Sequence, residues 1–166
     1  MSELEKLAER LGHLLLERGE WLAAAESCTG GWLAQSVTAI AGSSAWFDRG
    51  FVTYSNAAKM DMLGVPESTL DRHGAVSEAV ARAMAQGALA HSRADWTVAI
   101  TGIAGPGGGS PEKPIGTVCF AWASKNGGCE ATLSLFSGDR ATIREQAVRF
   151  ALNGLIDRLG SVSLFA

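Results

Sequence analysis

Leu4, Leu7, Ala8, Leu11, Leu14 and Leu15 recur at steps of three and four, which predicts an amphipathic helix from Ser2 to Arg18. Ser2 is placed to cap it and Gly19 to end it. The pattern then changes to a short continuous apolar run, "WLAAA" (Trp21 to Ala25), of the kind that fills a strand buried on both faces. Thr29 to Ile40 reads as a helix opened by two glycines, so "AESCTGG" sits at a strand-to-helix corner. "WFDRGFVTYS" (Trp46 to Ser55) is aromatic and β-branched and reads as a strand, and Ser55 caps a short helix from Asn56 to Leu63. "VPEST" opens a further helical turn with Pro66 near its first position, and Ser77 caps an alanine-rich helix from Glu78 to His91. "WTVAIT" (Trp96 to Thr101) is a second buried-strand run. It leads into "GIAGPGGGSPEKP", whose glycines and prolines exclude regular structure. "IGTVCFAWAS" and "CEATLSLFS" follow as strands around a hairpin turn at "KNGG". Gly138 and Asp139 start the last helix, Arg140 to about Leu159, with Ile143, Ala147, Phe150, Ala151, Leu155 and Ile156 at helical spacing.

Helices and strands alternate through Thr101 and the hairpin comes late. The expected fold is therefore α/β, a three-layer α/β/α arrangement with a mixed sheet of about five or six strands, in one domain over 1–166. Composition agrees with a folded chain: 47% of the 166 residues are hydrophobic and 19% charged. The formal net charge is −3 and no basic run is longer than two residues, which argues against phosphate-neutralising contact with nucleic acid and for a small-molecule partner. The N-terminal stretch mixes acids and bases into its apolar positions, and no apolar run approaches the roughly 18 residues of a membrane span, so a cytoplasmic location is expected. Cys28, Cys119 and Cys129 make an odd set with no CxxC or Cys/His spacing, which argues against both structural zinc and a disulfide framework.

In sheets of this type ligands collect beyond the carboxyl ends of strands, and three such ends carry polar residues: 26–31, 54–59 and 101–110. At the first, Ser27 is placed like the serine of a nucleophile elbow, although G-x-S-x-G itself is absent. Helix capping by Ser27 or Thr29 is the rival reading, and the two are compatible, because a helix N-terminus offers N–H groups to an oxyanion or phosphate. The histidines, His13, His73 and His91, adjoin none of the three ends, which disfavours a Ser-His-Asp arrangement. Lys59, one turn into the helix after the second strand, stands where a desolvated amine would take a serine proton; the alternative is a solvated helix lysine. Tyr54, the single tyrosine, either relays a proton or packs with its hydroxyl at the rim. Cys28 is a rival nucleophile with no histidine beside it. The glycine-rich loop matches neither common phosphate motif; it is either an anion cradle of backbone N–H groups or a mobile lid. Arg140 and Arg144 share one face at the start of the last helix, against its dipole, and so ask for a ligand anion or a partner carboxylate.

"AESCTGG" (25–31), "YSNAAK" (54–59), "GAVS" (74–77), "TGIAGPGGGSPEKPIGTV" (101–118) and "GDRATIR" (138–144) together resemble the CinA C-terminal domain family, in order and in spacing, over nearly the whole chain. The resemblance implies deamidation of nicotinamide mononucleotide to nicotinate mononucleotide and ammonia, with Ser27 as nucleophile and Lys59 and Tyr54 as catalytic partners. It further implies that Thr29, Gly30, Gly31, Thr101, Gly102, Gly105, Gly107 and Gly108 contact substrate and that Arg140 and Arg144 face its phosphate. No cofactor is implied, and a homo-oligomer, a dimer in the first instance, is. The alternative is a non-catalytic nucleotide-binding module in a competence or DNA-damage context.

Overall fold

The apolar run after the first helix forms strand β1 (Leu22–Glu26), buried at every position. A computed structural model describes residues 1–163, with side chains for 1–160. Before β1 lies helix α1 (Glu3–Arg18). After it come α2 (Trp32–Thr38), a 3₁₀ turn (Ser43–Ala45), β2 (Phe47–Val52), α3 (Asn56–Leu63), α4 (Glu67–His73) and α5 (Glu78–Ala90). Then follow β3 (Trp96–Gly102), β4 (Thr117–Ser124), β5 (Gly128–Leu135) and α6 (Arg140–Ser163). The strands make one five-stranded sheet of order β2-β1-β3-β4-β5. β1 is parallel to both β2 and β3, while β4 and β5 add antiparallel, which gives the expected mixed sheet at the lower of the two expected strand counts.

The two faces of the sheet differ in side-chain size, and this sets the layers. On one face Leu22, Val98, Ile100, Val118, Phe120 and Trp122 pack with Leu11 and Leu15 of α1, Leu33 of α2 and Leu152 of α6. On the other, Ala25, Ala99, Cys119, Ala121 and Ala123 meet Val80, Ala81, Met84 and Ala85 of α5 and Leu63 of α3. Alternate strand residues point to opposite faces, so this alanine row is a flat bed on which α5 lies close. The polar link between them is Thr97, whose Oγ1 donates to the Ala85 carbonyl at 2.8 Å.

The capping residues read from the pattern are in place. Ser2, Ser55 and Ser77 accept from the amides of Glu5, Ala58 and Val80 at the starts of α1, α3 and α5. Gly19 closes α1 in the left-handed conformation, φ 64. Three elements differ most in extent from the sequence expectation. α2 covers only Trp32–Thr38 because 27–31 is taken up by a turn closed by Gly30 N–H to the Ser27 carbonyl. β2 stops at Val52, beyond which the Thr53 carbonyl serves Lys59, and α6 continues past Leu159 to Ser163.

The approach of α3 to α5 depends on Gly87. A Cβ there would stand 2.0 Å from the Leu63 carbonyl oxygen, a backbone atom with no room to yield. Gly87→Ala should therefore destabilise the chain by about 2 kcal/mol, with overpacking outweighing the roughly 1 kcal/mol that alanine gains over glycine in a helix. Urea denaturation of the two proteins reads this directly, and an unchanged or raised midpoint would refute it.

Candidate active site

Parallel strands β1, β2 and β3 end at the same edge of the sheet, and their C-terminal continuations enclose a cleft of about 190 Å³. Ser27 follows β1 directly and is held from both sides: its amide donates to the Ile100 carbonyl of β3, and the preceding Glu26 carbonyl accepts from Thr53 after β2. Lys59 lies in the first turn of α3. Long helical side chains lean toward the N-terminus of their helix, and this one returns to the strand end, where Nζ donates to the Thr53 carbonyl at 2.8 Å. The same nitrogen lies 3.0 Å from Ser27 Oγ. Lys59 is 1% exposed, and burial disfavours its charged form, so its pKa is held below the ordinary lysine value. A desolvated amine in hydrogen-bond contact with a buried hydroxyl is an arrangement in which the amine can take the hydroxyl's proton.

The acidic residue of "AESCTGG" was not singled out by sequence reasoning, yet it organises the corner. Glu26 is buried, and its carboxylate accepts from Thr29 Oγ1 at 2.7 Å and from the amides of Leu33 at 2.9 Å and Ala34 at 3.1 Å. Thr29 therefore turns inward and does not line the cleft, and the amides of Leu33 and Ala34 are occupied by protein. At Leu33 and Ala34 the helix start is capped internally: a buried carboxylate needs donors, and the nearest are there. Gly30 and Gly31 adopt φ 58 and φ 104, which a side chain would strain, and this lets the chain reverse between Ser27 and α2.

Cys28 lines the cleft beside Ser27, but burial pushes its thiol up to about 11 despite the nearby Arg144 guanidinium, so it is protonated at neutral pH. Cys28→Ala removes the thiol and keeps the peptide, and turnover should stay within about three-fold of wild type. A loss beyond about a hundred-fold would transfer the nucleophile's role to the thiol.

At the mouth, Tyr54 is 64% exposed and its hydroxyl accepts from Arg140 Nη2 at 3.1 Å. Arg140 Nη1 also donates to the Gly105 carbonyl at 2.9 Å, joining α6 to the glycine-rich loop. Lys113 ties the same loop to the end of α4 through the His73 carbonyl at 2.7 Å. The loop is thus anchored at two points, and of its glycines Gly102 reaches the cleft lining; Gly105 acts through its carbonyl, and Gly107 and Gly108 are exposed. Thr101 lines the cleft and donates Oγ1–H to the Ala75 carbonyl at 2.8 Å. Asn56, Ala75, Val76 and Ala104 join the lining without having been picked out from the sequence; Asn56 sits inside "YSNAAK", where its polar side chain was the available signal. Arg144 does not enter the cleft: Nε donates to the Cys28 carbonyl at 2.9 Å and Nη2 to that of Thr29 at 3.1 Å.

A larger cavity, about 530 Å³, opens near the β4–β5 hairpin between Trp96, Trp122 and Arg158. Its lysine, Lys125, is half exposed and lies 3.7 Å from Asp95, so it is solvated where Lys59 is dry. The Ser27–Lys59 contact belongs to the smaller cleft. Among the described residues no group of three or more His, Cys, Asp or Glu is arranged to hold a metal ion, and no helix is long and apolar enough to cross a membrane.

The model of the CinA C-terminal domain family matches residues 4–159. The chain is 58% identical over 154 residues to "Nicotinamide-nucleotide amidohydrolase PncC" of Escherichia coli (strain K12), covering 93% of each chain. It is 48% identical to the protein of the same name from Pseudomonas putida, covering 94% of this chain and 97% of that one. Among solved structures, a competence/damage inducible protein from Agrobacterium tumefaciens superposes with a TM-score of 0.92 at 50% identity, covering 96% of this chain and 97% of that one.

Proposed function

The chain belongs to the CinA C-terminal domain family, and we propose that it hydrolyses the carboxamide of nicotinamide mononucleotide to nicotinate mononucleotide and ammonia. The observation that carries this reading is Lys59 Nζ, buried and 3.0 Å from Ser27 Oγ. A module that only bound nucleotide would have no use for a lysine desolvated against a hydroxyl, an arrangement that costs stability and yields a base.

The reaction follows from the placement of groups. Neutral Lys59 accepts the Ser27 proton as the oxygen adds to the carboxamide carbon. The ammonium so formed then protonates the leaving nitrogen, the C–N bond breaks, and an acyl-serine ester remains. Water attacks the ester with Lys59 again as base, releasing the acid and restoring the serine. Arg140, at the mouth and hydrogen-bonded to Tyr54 and Gly105, is the cation we assign to the substrate phosphate, with Gly102 and Thr101 beside the nucleotide. No step calls for a metal or a cofactor. A phosphorylated substrate does not cross a bilayer unaided, so the proposed reaction belongs in the cytoplasm. The assembly proposed with it is a homo-oligomer, a dimer in the first instance, for which exposed Leu133 and Leu135 on edge strand β5 offer apolar surface.

The test is ammonia release on incubation of the pure protein with nicotinamide mononucleotide, with calorimetry on the same sample. Release of one ammonia per acid formed supports the assignment. Saturable binding without product would replace it by the binding-module reading.

A further inference from the structure

Two arginines one helical turn apart on α6 have separate tasks. Arg140 points to the mouth, whereas Arg144 spends its fork on main-chain carbonyls, those of Cys28 and Thr29. Its guanidinium is 5.6 Å from the Trp32 ring centroid, and its Nη2 lies where a Cβ on Gly30 would come within 3.3 Å, so it is fitted into the corner outside the cleft lining. The Ser27 carbonyl has its own donor, the Gly30 amide. Every carbonyl from Ser27 to Thr29 is therefore engaged by protein.

In a trans peptide the N–H points opposite to the C=O. A guanidinium that draws the Cys28 carbonyl to one side turns the Thr29 N–H to the opposite one, away from Arg144. Resting on the amidase reading above, we propose that Arg144 is a positioning residue: it holds the Cys28–Thr29 peptide so that its N–H donates to the oxyanion formed on the carboxamide carbon. Without the clamp the peptide is free to rotate, and in the flipped orientation its carbonyl would face the developing negative charge. This role does not involve the substrate phosphate, in contrast to the expectation from the family resemblance.

The two roles separate kinetically. Arg144→Lys keeps the charge and loses the two-pronged fork, and Arg144→Gln loses both. If Arg144 orients the peptide, both variants should lower kcat by about a hundred-fold, the usual scale for one oxyanion donor, with KM for nicotinamide mononucleotide within about three-fold. The loss in kcat should be of the same size on the nucleoside that lacks the phosphate. If Arg144 binds phosphate, KM for the nucleotide rises, the nucleoside shows no loss, and the proposal is overturned. A second measurement is independent of the substrate: the rate at which an alkyl fluorophosphonate labels Ser27, where the serine oxygen bonds phosphorus, fluoride leaves and the proton passes to Lys59. This reaction draws on the same donors and should slow in both variants; an unchanged labelling rate overturns the proposal. Should the wild-type chain release no ammonia from the nucleotide, the amidase reading fails, and the labelling rates alone decide the role of Arg144. If neither variant folds, as read by thermal unfolding and nucleotide calorimetry, Arg144 is a structural clamp only and the proposal falls.

Discussion

Ser27→Ala should reduce ammonia release from nicotinamide mononucleotide by about 10⁴-fold or more, the scale seen when a serine nucleophile is removed from a hydrolytic site. Its neighbours cannot substitute. Burial keeps the Cys28 thiol protonated, and the Thr29 hydroxyl is turned inward onto Glu26. The substitution leaves the backbone bond from residue 27 to Ile100 in place, so the fold should be retained and nucleotide binding with it. Intact-mass measurement after rapid quenching should show a nicotinoyl-nucleotide adduct on the wild-type chain and none on the variant. A variant that retains more than a few per cent of the wild-type rate would remove Ser27 from the mechanism.

Lys59→Met should cost about 10³-fold in kcat, because it removes the proposed base and proton donor for the leaving nitrogen while keeping an unbranched apolar side chain in the same space. The pH profiles carry the sharper information. Lys59 must be neutral to act as base, so wild-type kcat/KM should rise with pH through the depressed folded-state pKa and level off above it; the residual activity of the variant should lack that limb.

Stability follows the same proton. Between the lowered folded-state pKa and the ordinary lysine value of 10.5, the unfolded chain holds a proton that the folded chain has released. Wild-type stability should therefore climb as pH rises through this window, and below it the full cost of burying an ammonium is present. Denaturant titrations of wild type and Lys59→Met across alkaline pH should differ by this slope, and parallel curves would show that Lys59 is not desolvated.

The expectations that held in detail were local ones. The serine caps lie one turn from the amides they receive. Lys59 was legible as a candidate base because the distance from a strand end to the first turn of the next helix varies little. Glu26 was not legible. A carboxylate beside a serine and a threonine in a glycine-bearing turn looks like a surface residue, and only the return of Leu33 and Ala34 over it supplies the donors that allow its burial. Arg144 was legible as a residue of interest and not as to its role, since the carbonyls it serves are more than a hundred positions away in the chain. The same holds for the glycine-rich loop, whose two anchors, Arg140 and Lys113, come from different parts of the fold.

By itself, then, the order of residues determined the elements, the α/β layering and the three strand ends at which polar side chains gather. These depend on periodicity and capping, which act within one or two turns of chain. Tertiary structure alone decided which of those side chains meet and how far each is desolvated. The contact of Lys59 with Ser27 depends on sheet order and on how closely α3 approaches α5, and desolvation is a property of the space around an amine, to which layers distant in sequence contribute together.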